Sequence, residues 1–146
     1  MKSPRVFSLS CYALLLAMLV GCGGGKYQPV SGEIVFPDGT AVQGLTGGQV
    51  VFQKVAGAGA EVTTESNSAS GSIDENGKFQ LGTEQVGDGA PVGEYQAVIT
   101  PPQPAGDEIL PKIIDDKYTK FGGFDMNYTV KPGSNHFKLE VEPFKN

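Results

Sequence analysis

Ser72-Ile73-Asp74-Glu75-Asn76-Gly77-Lys78-Phe79-Gln80-Leu81 is the stretch on which the fold turns. Ile73, Phe79 and Leu81 alternate with polar residues on the two sides of Asn76-Gly77. A period of two marks a half-buried strand, and Asn-Gly between two such runs accepts the positive φ angles of a tight reversal. The segment therefore reads as a β-hairpin. The same period extends outward in both directions. In Val30 to Phe36, Val30, Gly32, Ile34 and Phe36 point one way and Ser31, Glu33 and Val35 the other. Gln49 to Lys54 places Val50 and Phe52 on one face, and Glu94 to Thr100 places Tyr95, Ala97 and Ile99 on one face. Met126 to Val130 is a further strand. In Asn135 to Glu142, Phe137, Leu139 and Val141 face in, while His136, Lys138, Glu140 and Glu142 face out. Pro37-Asp38-Gly39-Thr40 and Lys131-Pro132-Gly133-Ser134 are turns, because proline presets φ and glycine tolerates φ > 0. Residues 56–72 are mostly Ala, Gly, Ser, Thr and Asn, and read as a loose edge strand or an exposed loop. About seven short strands with frequent turn signals predict an all-β sandwich.

Composition agrees with this and excludes several alternatives. The chain has 146 residues, 21 of them glycine and 10 proline, which argues against a helical bundle. A formal charge of −5 argues against nucleic acid as a partner, since nothing would neutralise a phosphate backbone. Two cysteines and one histidine leave little for a zinc site.

The first residues read as an address. Lys2 and Arg5 precede an apolar run from Val6 to Val20, shorter than the ~20 residues of a spanning helix. Leu19-Val20-Gly21-Cys22 resembles the lipobox of bacterial lipoproteins. The resemblance implies that residues 1–21 are a signal peptide and that Cys22 is lipidated with palmitate-type chains. It further implies that the protein is exported and held to the cell envelope by lipid. Gly23 after the cysteine, where aspartate often retains such proteins at the inner membrane, points to the outer membrane. Cleavage before Cys22 leaves 125 residues, takes the formal charge from −5 to −7, and removes the sole arginine and Cys11. Residues 22–28 then read as the lipidated cysteine and a Gly-rich tether, and 29–146 as the sandwich domain. Gly23-Gly24-Gly25-Lys26 is not a phosphate loop: Val20 stands where the first glycine belongs, and Tyr27 where Ser/Thr belongs.

Three segments together resemble the small transthyretin-like, carboxypeptidase-regulatory-like lipoproteins of bacterial envelopes. They are Pro29-Val30-Ser31-Gly32-Glu33-Ile34, Gly71 to Phe79, and Gly87-Asp88-Gly89-Ala90-Pro91-Val92-Gly93-Glu94-Tyr95. The resemblance spans most of residues 29–142. It implies a seven- or eight-stranded Greek-key sandwich of the prealbumin type and brings no assigned activity. Transthyretin-like hydrolases that open a purine-derived ring use histidines, an arginine and a C-terminal Tyr-Arg-Gly-Ser. Here the chain ends Pro143-Phe144-Lys145-Asn146, which excludes that enzyme.

Candidate chemistry is sparse. His136, the only imidazole, is expected on the solvent face of the last strand with no nucleophile at usable spacing, so no catalytic residue is assigned. Asp74 to Gly77 resembles a calcium loop, but Thr83 stands where an EF-hand requires glutamate, and the turn reading is preferred. Asp88 reads as a turn residue. Tyr95 reads as a corner tyrosine bonded to upstream backbone.

The anomaly is Pro101 to Asp125, far longer than the ~4–6 residues of ordinary connections. It opens with Pro101-Pro102-Gln103-Pro104 and carries Asp115, Asp116, Tyr118, Phe121 and Phe124, a possible binding surface. The other reading is a strand-capping excursion, with Ile113, Ile114 and Tyr118 packed on the sandwich edge. No cofactor is expected beyond the lipid on Cys22; calcium in the acidic loop has no ligand set to support it.

Three functions follow. The first is a non-catalytic envelope lipoprotein with an interaction or structural module. The second is a glycan- or peptide-binding lipoprotein using the 101–125 loop, and the third, least supported, is a hydrolase. The partners are the membrane, through the lipid, and an envelope protein or glycan.

Overall fold

The computed structural model describes residues 25–55, 68–107 and 109–145. The signal peptide and Cys22 lie outside the described residues. The strands are β1 (Val30–Val35), β2 (Gln49–Lys54), β3 (Ser68–Ser72), β4 (Lys78–Gln80), β5 (Gly93–Thr100), β6 (Asn127–Val130) and β7 (Asn135–Glu140). One turn of 3₁₀ helix, Asp116–Thr119, lies between β5 and β6.

Because the inward residues of the strands are mostly apolar, two sheets form and pack face to face, while the outward positions are mixed and include Val35, Val51 and Val98. One has the order β4-β1-β7, the other β3-β2-β5-β6. Four of the six connections cross from one sheet to the other, while β2–β3 and β5–β6 pair within a sheet. This is a Greek-key β-sandwich in its seven-strand form. β1 and β7, nearly the whole domain apart in sequence, run parallel from Val30↔Asn135 to Val35↔Glu140.

Val30, Ile34, Val50, Phe52, Tyr95, Ala97, Ile99, Leu139 and Val141 are buried, as the alternation requires. Val42 and Leu45, in the β1–β2 connection, are buried at the end of the sandwich where β1 stops. Residues 68–72, the described part of the stretch expected as a loose edge strand or exposed loop, form an edge strand, and within it only Ala69 is buried.

The hairpin expected at 72–81 is correct in its turn and incorrect in its ladder. Gly77 adopts φ +73°, and the Asp74 carboxylate accepts from Asn76 N and Lys78 N, both at 2.8 Å. The arms then join different sheets, β3 pairing with β2 and β4 with β1. Ile73 N donates instead to Gly48 O, and Gly77 O accepts from Ile34 N, so the turn bridges the two layers. The arms meet again at Ser70 and Gly82, which exchange two backbone hydrogen bonds.

The domain also starts earlier than expected. Gln28 exchanges two backbone hydrogen bonds with Ala90, its Nε2 donates to Gly25 O, and its Oε1 accepts from Gly133 N. Residues 25–28 are thus bound to the sandwich instead of forming a tether, because Gln28 has three separate backbone segments within reach.

Tyr95 makes the expected corner. Its side chain is buried and its hydroxyl donates to Pro91 O at 2.9 Å. Tyr95→Phe is expected to lower the unfolding free energy by about 1 kcal/mol in urea melts. Burial pushes the Tyr95 phenol up to about 12, and the Tyr128 phenol likewise. The folded-state value lies above the unfolded one of about 10, so this stabilisation is complete below pH ~10 and is lost as pH rises through about 12. The Tyr95→Phe protein should therefore lose less stability between neutral pH and pH ~11 than the wild type. An equal loss in both would disprove the assignment.

Candidate functional site

The connection from Pro101 to Asp125 is built in two halves. In the second half, Ile114 and Pro143 form an antiparallel bridge and Phe144 N donates to Ile113 O at 3.0 Å. This segment thereby covers the chain just after β7. The Asp115 carboxylate caps the 3₁₀ turn by accepting from Lys117 N at 3.0 Å. Lys117 Nζ reaches Glu142 Oε2 at 3.0 Å and lies over the Tyr118 and Phe124 rings. The Lys117 hydrogen bond and charge hold the Glu142 carboxyl below its usual range. Lys112 Nζ does the same to Asp116 from 2.7 Å.

These contacts correct the expected binding surface. Tyr118 is 3% exposed, and its hydroxyl accepts from Glu142 N at 3.2 Å. A tyrosine whose ring is packed and whose hydroxyl is bonded to backbone is a structural residue. Asp115 and Asp116 are engaged in the cap and the ion pair just described. Phe121 and Phe124 remain exposed, at 44% and 45%, with Phe124 edge-on to Tyr118 at 5.1 Å between centroids. The five residues do not converge on one concavity. Ile114 and Tyr118 are buried and Ile113 partly so, which is the strand-capping arrangement.

The first half forms a concavity that the aromatic residues do not mark. Gly44, Leu45 and Thr46 make one wall and Pro101, Pro102, Pro104, Ile109, Leu110 and Pro111 the other, around a groove of about 620 Å³. Ile113 and Ile114 also line it, and Lys112, Asp116 and Thr119 supply its polar groups. The volume lies within the range of ligand clefts, ~300–1,000 Å³. No aromatic ring lines it. Prolines contribute no N–H donors, so three of the wall's first four residues offer a ligand only apolar surface and carbonyl oxygens. The proline run is the one sequence signal of this wall.

The sheet face holds a contact that sequence spacing could not reveal. Parallel pairing sets Ser31 opposite His136, and Ser31 Oγ lies 3.1 Å from His136 Nδ1. The expectation that no nucleophile stands near His136 is thus corrected. His136 is exposed, as expected. Among the described residues no carboxylate hydrogen-bonds its ring, and nearby Glu33 is taken by Lys138 at 3.3 Å. The pair has a nucleophile and a base but no group to orient the base.

Elsewhere, Asp88 acts as the expected turn residue. Its oxygens accept from Thr83 N, Glu84 N and Gln85 N at 2.6, 3.1 and 2.9 Å. Burial opposes its ionisation, yet these N–H groups outweigh that and hold the carboxyl below its usual range. Among the described residues no three His, Cys, Asp or Glu side chains converge as a metal site.

The described chain begins at the pole holding Ala90 and Gly133, and β1 carries it to the other pole, where Val35 and Val42 lie beside the groove loops. Six strand residues span ~20 Å. The groove therefore opens at the pole opposite the one bearing Gly25–Gln28.

No protein-family model and no curated protein matches this chain. Solved structures similar to it include a DUF3823 family protein from Parabacteroides merdae, 16% identical with a TM-score of 0.43, covering 80% of this chain and 46% of the other. Another, from Bacteroides ovatus, is 17% identical with a TM-score of 0.41, over 80% of this chain and 45% of the other. The major pilin subunit of Bacillus cereus is 19% identical with a TM-score of 0.43, over 82% and 30%. The chain spans less than half the length of each.

Proposed function

We propose that this protein is an exported, lipid-anchored lipoprotein of the bacterial envelope, held in the outer membrane through Cys22. Its transthyretin-like sandwich is a non-catalytic module that binds an extended apolar peptide of an envelope partner in the groove of residues 44–46 and 101–114. The observation that carries the reading is the opposition of the two poles. A lipid on Cys22 attaches the protein at one end, and the groove faces away from it at the other. The groove's aliphatic and proline lining favours a peptide over a glycan, since sugars are gripped by aromatic faces and directed polar groups, which this lining lacks. Ser31 and His136 line an open concavity with Asp74 and Lys78, but among the described residues no group orients the His136 ring, which favours a binding module over a hydrolase.

Fractionation and photo-crosslinking in the native envelope test the two parts. Cys22→Ser is expected to move the protein from the membrane to the soluble fraction; its retention would refute the anchor. A crosslinker at Thr46 is expected to capture a partner that Ile109→Asp/Leu110→Asp no longer captures, with tyrosine circular dichroism unchanged. Undiminished capture by that folded variant would refute the groove.

A further inference from the structure

We propose that the pole at which the described chain begins rests on the lipid surface, with Val86 and Val92 in the headgroup layer. The inference depends on the lipid at Cys22. The first ground is chain length. Gly25 is already held through its carbonyl by Gln28 Nε2 at 2.8 Å, and Tyr27 OH donates to the Glu84 carboxylate, which Lys26 also reaches at 3.3 Å. Two residues separate Cys22 from Gly25, so three Cα–Cα steps give a reach of ~11 Å at most. A cysteine whose sulfur carries acyl chains sits at the headgroup level, so this pole cannot stand further off than that.

The second ground is what the pole displays. The loop from Gly82 to Asp88 is closed on itself by the three N–H bonds to Asp88 and by Thr83 Oγ1 to Gly89 O at 2.7 Å. At its tip Val86 is fully exposed, 104%, and packs on nothing. Val92 and Val55, on the same pole, are each nearly half exposed. One exposed valine is ordinary; three at the end that a lipid would tether are an apolar surface with a matching neighbour. The clamp fixes their relation to the anchor, because Glu84, gripped by Lys26 and Tyr27, is two residues from Val86. Tyr27 and then Lys26 hold the Glu84 carboxyl below its usual range, so the clamp is present at neutral pH and lost as pH falls through the carboxylate range. The acyl chains on Cys22 anchor the protein by themselves, and short apolar insertion beside them adds buried area that fixes which face meets the lipid.

After loss of residues 1–21, Cys22 is the one cysteine left, and lipid blocks it. Val86→Cys and Ile109→Cys therefore each give one labelling site, at opposite poles. The lipidated proteins, carrying a polarity-sensitive fluorophore, are placed in vesicles of phosphatidylethanolamine and phosphatidylglycerol with headgroup spin-labelled lipid. The label at 86 is expected to shift to the blue and lose most of its emission, and the label at 109 to stay as in water. A vesicle-bound, lipidated protein whose two labels are equally aqueous overturns this inference and leaves the lipoprotein reading standing. A blue shift at 86 in native envelopes but not in vesicles assigns the pole to a protein and also overturns it. Intact mass lacking the lipid on Cys22 overturns both readings.

Discussion

Phe52→Ala is expected to lower the unfolding free energy by about 3–5 kcal/mol, the range for removing a buried phenyl ring. Phe52 has no exposed surface. Its ring stands on β2 with Phe79 of β4 at 6.3 Å, Tyr95 of β5 at 6.2 Å, Tyr128 of β6 at 5.4 Å and Phe137 of β7 at 5.8 Å between centroids. One side chain thus joins four other strands and both sheets. Its loss leaves a cavity that rings held by separate strands cannot jointly refill. Domains of this size have only ~5–15 kcal/mol to lose, so the variant should unfold at much lower urea. Without tryptophan, the four tyrosines that follow Cys22 report the transition. Phe121→Ala, at an exposed position, is expected to change stability by less than ~0.5 kcal/mol. Similar urea midpoints for the two variants would remove Phe52 from the centre of the core.

The position of Phe52 was legible in the alternation of Gln49 to Lys54, as were the inward faces of β1, β5 and β7. That legibility has a local cause: side chains two residues apart share a face whatever the strand pairs with. Pairing itself is not local. Asn76-Gly77 announced a reversal, and the reversal is there, but which strand each arm joins depends on β1 and β2, tens of residues earlier. The parallel pairing of β1 with β7 was equally hidden, and with it the approach of Ser31 to His136.

The same limit shaped the reading of residues 101–125. Its length marks it as unusual, and its aromatic residues point to the half that caps the sandwich, not to the half that lines the groove. Tyr118 looks like a contact residue in sequence, because nothing nearby shows that Glu142 N, 24 residues on, will occupy its hydroxyl. The proline half gives no sign of a groove in sequence, because its opposite wall, Gly44 to Thr46, comes from the β1–β2 connection. Tyr95 was readable because its partner, Pro91 O, is four residues away.

Gly89→Ala is expected to destabilise the domain by about 3 kcal/mol, adding ~1–2 for a side chain at positive φ to ~1 for each backbone hydrogen bond disturbed. Gly89 has φ +96°, and a Cβ there would fall 1.9 Å from Gln28 O, which accepts from Ala90 N at 3.0 Å. Backbone cannot swing aside as a side chain can, so the bridge between Gln28 and Ala90 must open. Gly39 separates the two effects. Its φ is +83° but a Cβ there meets nothing within 4 Å, so Gly39→Ala should cost about 1–2 kcal/mol from conformation alone. Hydrogen exchange gives the local readout: in Gly89→Ala the amides of Gln28 and Ala90 should exchange faster than those of β5, whereas in Gly39→Ala they should keep their order. Should the two variants prove equally stable, with Gln28 still protected in both, the tight seating of the chain's first described residues against Gly89-Ala90 would be wrong. Gly25 would then no longer be a fixed point holding this pole within ~11 Å of the lipid.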